Sequence, residues 1–182
     1  GHRVLLELLA STGLRIGEAL ALRWRDVDLG ARPAVRVRRA FDNRGREVPP
    51  KSRHGRRRVP LSPSIAAEMR LCQAQTDWAR PDDLVFCTGA GARLDPDNLR
   101  RRALTPAMRA AGVNPPLGFH ALRHTFASMH VARGTNVVQL ARLLGHHSAA
   151  FTLSVYAHLM DEGVGDALDI AATTSATTSA TR

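Results

Sequence analysis

Two residue types occur once each in this chain of 182 residues: lysine, at Lys51, and tyrosine, at Tyr156. Lys51 stands against 25 arginines. Arginine keeps its proton under almost all conditions, whereas lysine releases one near neutral pH when its surroundings are tuned. A lone lysine in an arginine-saturated chain suggests a position that must lose a proton. The alternative is a solvated basic residue left unchanged by chance. Three other groups suit an anion. His120, Arg123, His124 and Ala127 fall within about 100° of one another on a helix. Leu122, Phe126 and Met129 fall opposite and are expected to seat that helix. Like charges this close are mildly destabilising unless they meet an anion; the alternative is a polar solvent face. Arg15 follows Gly13 at a helix start, where backbone N–H groups already favour anions. Glu18, one turn on, can hold its guanidinium, as an ordinary surface ion pair would. Last come Leu144-Gly145-His146-His147, with Tyr156 ten residues after His146.

The elements that must position these residues lie in a mostly helical chain. Helices are expected over 3–10, 15–24, 64–75, 95–111, 120–133, 136–144 and 148–159. Turns at Ser11-Thr12-Gly13, Gly134 and Gly145, and the Pro115-Pro116 pair, separate them. Helical period is lost over 34–40 and 46–60, where Val35, Val37, Val48, Val59 and Leu61 alternate with charge and Asn43-Arg44-Gly45 supplies a turn. Two or three short antiparallel strands are expected there, with Lys51 on or beside a hairpin. Asp83–Thr88 is a short apolar run. Residues 171–181, AATTSATTSAT, are low-complexity and expected to be disordered.

Composition narrows the function. The net charge is +10 and the pI near 11.4, which points to a polyanion, most often nucleic acid. Residues 32–58 hold eleven basic residues against Asp42 and Glu47, a net +9 in 27 residues. A loop with that much self-repulsion wants a partner, although a solvated basic loop is the plainer alternative. Arg36, Arg38, Arg53, Arg56, Arg57 and Arg58 are the candidate DNA contacts. Cys72 and Cys87 have neither disulfide nor zinc spacing, which fits a reducing cytoplasm. A metal site from His146 and His147 with His120 and His124 is disfavoured, because Arg123 among the ligands would repel a cation. No acidic cluster suits Mg²⁺. No apolar run is long enough to span a membrane. The chain lacks an initiator Met and starts inside a helical pattern, so it reads as a piece of a longer protein.

Five strings stand together in order: TGLRIGEALALRWRDVDL (12–29), PPKSRHGRRRVPL (49–61), FHALRHTFASMHVARG (119–134), LARLLGHHS (140–148) and TLSVYAHL (152–159). The whole resembles the catalytic domain of tyrosine recombinases, the phage integrase family, over about residues 3–160. The resemblance implies a mainly α fold with a small antiparallel sheet or hairpin over residues 1–170, followed by the tail 171–182. It implies a catalytic set of Arg15, Lys51, His120, Arg123, His146 and Tyr156, supported by Glu18 and His124. Tyr156 would attack a DNA phosphodiester, forming a 3′-phosphotyrosyl bond and freeing a 5′-hydroxyl. Arg15 and Arg123 would bind the non-bridging oxygens, and Lys51 would protonate the leaving oxygen. His120 would assist proton transfer, His146 would donate to the phosphate, and Glu18 would orient Arg15. No cofactor, metal or ATP is implied. The partners implied are double-stranded DNA and, in a full-length parent, a homotetramer on that DNA.

Two departures from the family pattern are expected to matter. This stretch is expected to lack the usual N-terminal DNA-binding domain, and the Ala/Thr/Ser tail is expected to replace or follow the usual docking segment. Site-specific recombination is therefore set beside two alternatives. One is strand relaxation like that of a type IB topoisomerase; the other is a truncated remnant that binds DNA without cutting it.

Overall fold

The computed structural model describes residues 2–50 and 53–159. Lys51 and the tail 171–182 lie outside them, and for Arg53 only the backbone is described. Helix α1 (His2–Thr12) buries Val4, Leu5, Leu8 and Leu9 at the i, i+3, i+4 spacing of one helical face. It ends at Gly13, whose φ of +63° suits the residue that closes a helix. Helix α2 (Ile16–Leu20) opens with the Glu18 carboxylate reaching back to accept the Arg15 backbone N–H. It is shorter than the 15–24 expected. Leu22 and Arg23 leave the helix because their backbones pair with Val85 and Leu84 across the fold.

The β region is more divided than expected. Strands β1 (Val27–Asp28), β2 (Ala34–Val37) and β5 (Arg57–Pro60) form one antiparallel sheet, in the order β1-β2-β5. Strands β3 (Ala40–Phe41) and β4 (Glu47–Val48) form a separate hairpin. In the larger sheet Val35, Val37 and Val59 point into the core, while the paired Arg36 and Arg58 stand on the outer face. That is the period-two alternation of a half-buried sheet. The hairpin is turned by Asp42, whose carboxylate accepts the backbone N–H groups of Arg44 and Arg46, with Gly45 at φ +76°. It lies directly on α2: a Cβ on Gly17 would collide with the Phe41 carbonyl, so only glycine allows the approach.

Helix α3 (Pro63–Gln75) starts where expected, with Ser62 as its cap. The helix expected over 95–111 is broken into α4 (Pro96–Leu99), a wide π turn (Arg100–Leu104) and α5 (Thr105–Ala110). Pro106 accounts for the break: it has no N–H for the carbonyl one turn back, and its ring crowds that carbonyl. Three helices complete the fold: α6 (Phe119–Ala132), α7 (Val137–Leu144) and α8 (Ala149–Tyr156).

Two apolar clusters form. The larger joins α1, α2, the three-stranded sheet and α3, around Leu5, Leu8, Leu20, Val35 and Met69. The smaller holds Phe126, Ala127, Val131, Leu140, Leu144 and Tyr156 between α6, α7 and α8. Helix α6 is seated differently from the expectation. Arg123 and Ala127 turn inward beside Phe126, and Met129 is 49% exposed. A buried guanidinium is tolerated there because its donors find backbone carbonyls.

Candidate active site

A cleft of about 1090 Å³ opens between α2, the β3–β4 hairpin and the start of α6, with Gly145 and His146 on its far wall. Arg15, His120, Arg123 and His146 all line it. Pro49, Pro50 and Gly55, the described neighbours of Lys51, line it too.

Glu18 is the anchor. Its buried carboxylate accepts the Arg15 backbone N–H at 2.9 Å and the Arg15 Nη1 at 3.0 Å. It also receives Arg57 in bidentate fashion, at 3.0 and 2.8 Å. Burial alone would raise the carboxyl pKa. The hydrogen bonds and charge of Arg57, then those of Arg15, outweigh burial and hold it below its ordinary value. The Arg15 side chain remains 45% exposed, so its guanidinium is held and still open to the cleft.

Arg123 is held by carbonyls instead. Its Nη1 donates to Gly13 O at 2.6 Å and its Nη2 to Leu144 O at 2.7 Å. Burial first, then the charges of Arg15 and Arg57, push its pKa down to about 9, so it remains a cation at neutral pH. Arg57 Nε donates to Leu143 O at 2.7 Å. The last carbonyls of α7 have no partner within the helix. Two arginines satisfy them here and thereby fix the α7 end that leads into His146.

Gly145 makes this junction possible. It sits at φ +66°, and a Cβ there would come within 2.7 Å of Arg57 Nη1. His146 Nδ1 lies 2.8 Å from the Oγ1 of buried Thr152. With Thr152 as donor, the imidazole carries its own N–H on Nε2. Burial, followed by the charges of Arg123, Arg15 and Arg57, drops the His146 pKa to about 4. His120 is lowered as well, by burial and then by His124, Arg123 and Arg15. The cleft is therefore a crowded positive field that disfavours the charged forms of His120 and His146. An anion would relieve that crowding.

Tyr156 is placed apart from these groups. It is 3% exposed, packs in the smaller apolar cluster, and is not among the described residues that line the cleft. Its hydroxyl lies 3.1 Å from His124 Nδ1. The His124 ring in turn meets the His120 ring edge-on, at 4.8 Å between centroids. Burial raises the phenol pKa, and the charge of Arg123 opposes that rise.

The arginines of the basic run separate by position. Arg57, expected to face DNA, is corrected: its side chain is 6% exposed and serves as an internal tether. Arg36 and Arg58 flank Asp28 on the outer sheet face, and Arg38 leans on Asp26. None of these three lines the cleft among the described residues. Arg56 and Arg58 instead border a second hollow of about 760 Å³, shared with Arg142, His146 and His147. Arg44 and Arg46 line the main cleft and were not singled out from the sequence. Their signal was the Asp42–Gly45 turn, which places both on the hairpin that walls it. Thr152 was also missed; a lone threonine six residues from a histidine carries no signal by itself.

The chain has relatives among known proteins. The chain is 35% identical over 159 residues to the tyrosine recombinase XerC of Pseudomonas aeruginosa, covering 86% of this chain and 47% of that protein. It is 29% identical over 197 residues to a XerC-like tyrosine recombinase of Caldanaerobacter subterraneus, covering 93% and 49%. The chain thus spans about half the length of these relatives. Among solved structures, the fold matches the Tn1549 transposon integrase in complex with transposon right end DNA. That match has a TM-score of 0.72 and 19% identity, over 100% of this chain and 59% of the other. XerA recombinase matches with a TM-score of 0.63 at 23% identity, over 100% and 63%. The model of the phage integrase family matches residues 1–162, and the chain belongs to the phage integrase family.

Proposed function

We propose that the chain is the catalytic domain of a tyrosine site-specific recombinase, which breaks and rejoins double-stranded DNA through a 3′-phosphotyrosyl bond. The observation that carries this reading is the joining of Arg15 and Arg123 with His120 and His146 in one cleft, where burial and the arginine charges disfavour protonation of both histidines. Such a cleft suits a phosphodiester. Its fixed donors face the place where negative charge develops, and fixed donors need no reorganisation as the reaction proceeds.

In this mechanism the Tyr156 oxygen attacks phosphorus while Arg15 and Arg123 hold the non-bridging oxygens. The planar guanidinium fork matches a phosphate edge. His146 donates from Nε2, and His120 assists proton transfer. Lys51 protonates the departing 5′ oxygen; support comes from its neighbours on the cleft wall. The phosphotyrosine keeps the bond energy, so a 5′-hydroxyl from another strand reseals the break. Tyr156 must leave its apolar cluster for the attack. Arg44, Arg46, Arg56 and Arg58 contact the flanking backbone. Arg36 and Arg38, partly neutralised by Asp28 and Asp26, contribute less; Arg53 belongs to the same basic run. The reading extends to action in the cytoplasm and, for a longer parent, to a homotetramer on DNA. No described helix is long and apolar enough to cross a membrane.

The test is strand transfer from a randomised pool of nicked duplexes to a second labelled duplex. Exchanged strands are expected. Relaxation of supercoiled DNA without exchange supports the topoisomerase-like alternative, and binding without cleavage supports the non-catalytic one. Lys51 is tested separately by substituting sulfur for the bridging 5′ oxygen. Lys51→Ala should be crippled on ordinary DNA and largely restored on the sulfur substrate, because a thiolate leaves without a proton. Arg123→Ala should not be restored.

A further inference from the structure

The nucleophile assigned above has a buried phenol with a raised pKa and, among the described residues, one hydrogen-bond partner: His124 Nδ1, at 3.1 Å. We propose that His124 is a further catalytic residue, the base that takes the Tyr156 proton; this rests on Tyr156 being the nucleophile. Three observations converge on it. The phenol ring packs in the cluster of Phe126, Val131, Leu140 and Leu144, and among the described residues its hydroxyl finds its one hydrogen-bond partner on α6. His124 is exposed on its other side, so a proton taken from the phenol can pass to water. Its ring also abuts His120, which lines the cleft, so the donor–acceptor pair stands at the boundary between apolar cluster and cleft. The Arg123 charge nearby favours phenolate over phenol, against the burial that favours the phenol.

Neutral His124 carries its proton on Nε2 and accepts the phenol proton at Nδ1. The phenol oxygen forms its bond to phosphorus, the bond from phosphorus to the 5′ oxygen breaks, and that oxygen takes a proton from Lys51. The His124 imidazolium then returns its proton to Tyr156 on resealing, or loses it to solvent. Positioning alone would need only an acceptor at 3 Å; a base must also hold the proton afterwards.

That difference is measurable because Tyr156 is the sole tyrosine, so fluorinated tyrosines supplied during expression label this phenol alone. Covalent adduct formation on a nicked duplex is timed for the wild-type chain, His124→Gln and His124→Ala, each with tyrosine or with ring-fluorinated tyrosines of falling phenol pKa. Glutamine can still accept a hydrogen bond from the phenol but cannot keep its proton. Both variants should be slowed about a hundredfold or more with ordinary tyrosine. The penalty should shrink steadily as the phenol becomes more acidic. His124→Gln at near wild-type speed, or a penalty constant across the fluorinated series, overturns the base assignment and leaves His124 as a support for the ring. If the wild-type chain forms no adduct at all, it is the nucleophile reading that fails. Thermal melts of both variants identify any loss that comes from misfolding.

Discussion

The two apolar clusters differ in what they hold. The larger one packs leucines, valines and Met69 from three helices and a sheet, and it carries Arg15 and Glu18 on its rim. The smaller one has six buried members, one of them Tyr156, and its helices leave Val138, Phe151 and Leu153 substantially exposed. Arg15 and Glu18 thus stand on the well-cored side, and Tyr156, the proposed nucleophile, on the lightly cored side. Among the described residues Arg57 and Arg123 link them, each donating to the end of α7. Electrostatic stabilisation depends on donors that do not move. A tyrosine that must emerge to react belongs on an element that opens at low cost.

The largest expected break in this contrast comes from the fixed side. Arg15→Lys or Arg123→Lys keeps the charge but loses the fork. Each should slow adduct formation by two or more orders of magnitude, about 3 kcal/mol or more of barrier, with DNA binding changed far less. Single-turnover rates alongside binding isotherms would separate the two. Near-normal rates in either variant would make that arginine a phosphate-positioning contact only.

A second comparison sets Leu8→Ala, in the larger cluster, against Leu140→Ala, in the smaller. Both side chains are fully buried. Leu8→Ala should lower global stability by about 2–5 kcal/mol. Leu140→Ala should act mainly by opening α7 and α8, seen as faster amide exchange there with less change in the global unfolding midpoint. Equal effects on both measures would mean that the two clusters unfold as one.

A smaller effect is expected at the hinge between them. Gly145→Ala forces a Cβ into left-handed backbone, at a cost of about 1–2 kcal/mol, and towards the Arg57 guanidinium. Displaced Arg57 would release Leu143 and Glu18 together, so the variant should lose more activity than its modest destabilisation implies. Crippled catalysis with a nearly unchanged melting point would sharpen the view of this junction as a positioning device.

The mildest test uses acid. His146 is neutral in the fold, with a pKa near 4 against about 6.5 when unfolded. The unfolded chain therefore binds a proton first as pH falls. The stability that His146 contributes is present above pH 6.5 and is lost between about 6.5 and 4. His146→Asn should flatten the stability profile in that window. An unchanged profile would mean that the imidazole is not held neutral by its surroundings.

What the sequence disclosed follows from how local each signal is. The helix over 3–10, the helix over 64–75 and the Arg15–Glu18 pair are read within a turn or two of chain, and the structure bears out each. The early end of α2 depends on Leu84 and Val85, sixty residues away, and no local pattern carries that pairing. Arg56, Arg57 and Arg58 are indistinguishable in a row; only the distant Glu18 and the α7 carbonyls decide that Arg57 turns inward. Helical spacing grouped Arg123 with the histidines correctly but put it on the wrong side, since a cationic residue reads as solvent-facing until its carbonyl partners are known. His124 was visible beside Arg123, yet its contact with Tyr156 spans 32 residues and appears only in the fold.

The central claim is that Tyr156, withdrawn into the smaller cluster, is the atom that attacks DNA. The most direct measurement is mass mapping of the covalent product trapped on nicked duplex. A single nucleotide-bearing peptide is expected, modified at Tyr156 through a 3′-phosphate, with a free 5′-hydroxyl on the released strand and no product from Tyr156→Phe. A trapped adduct on any other residue, or one that persists in Tyr156→Phe, would contradict it.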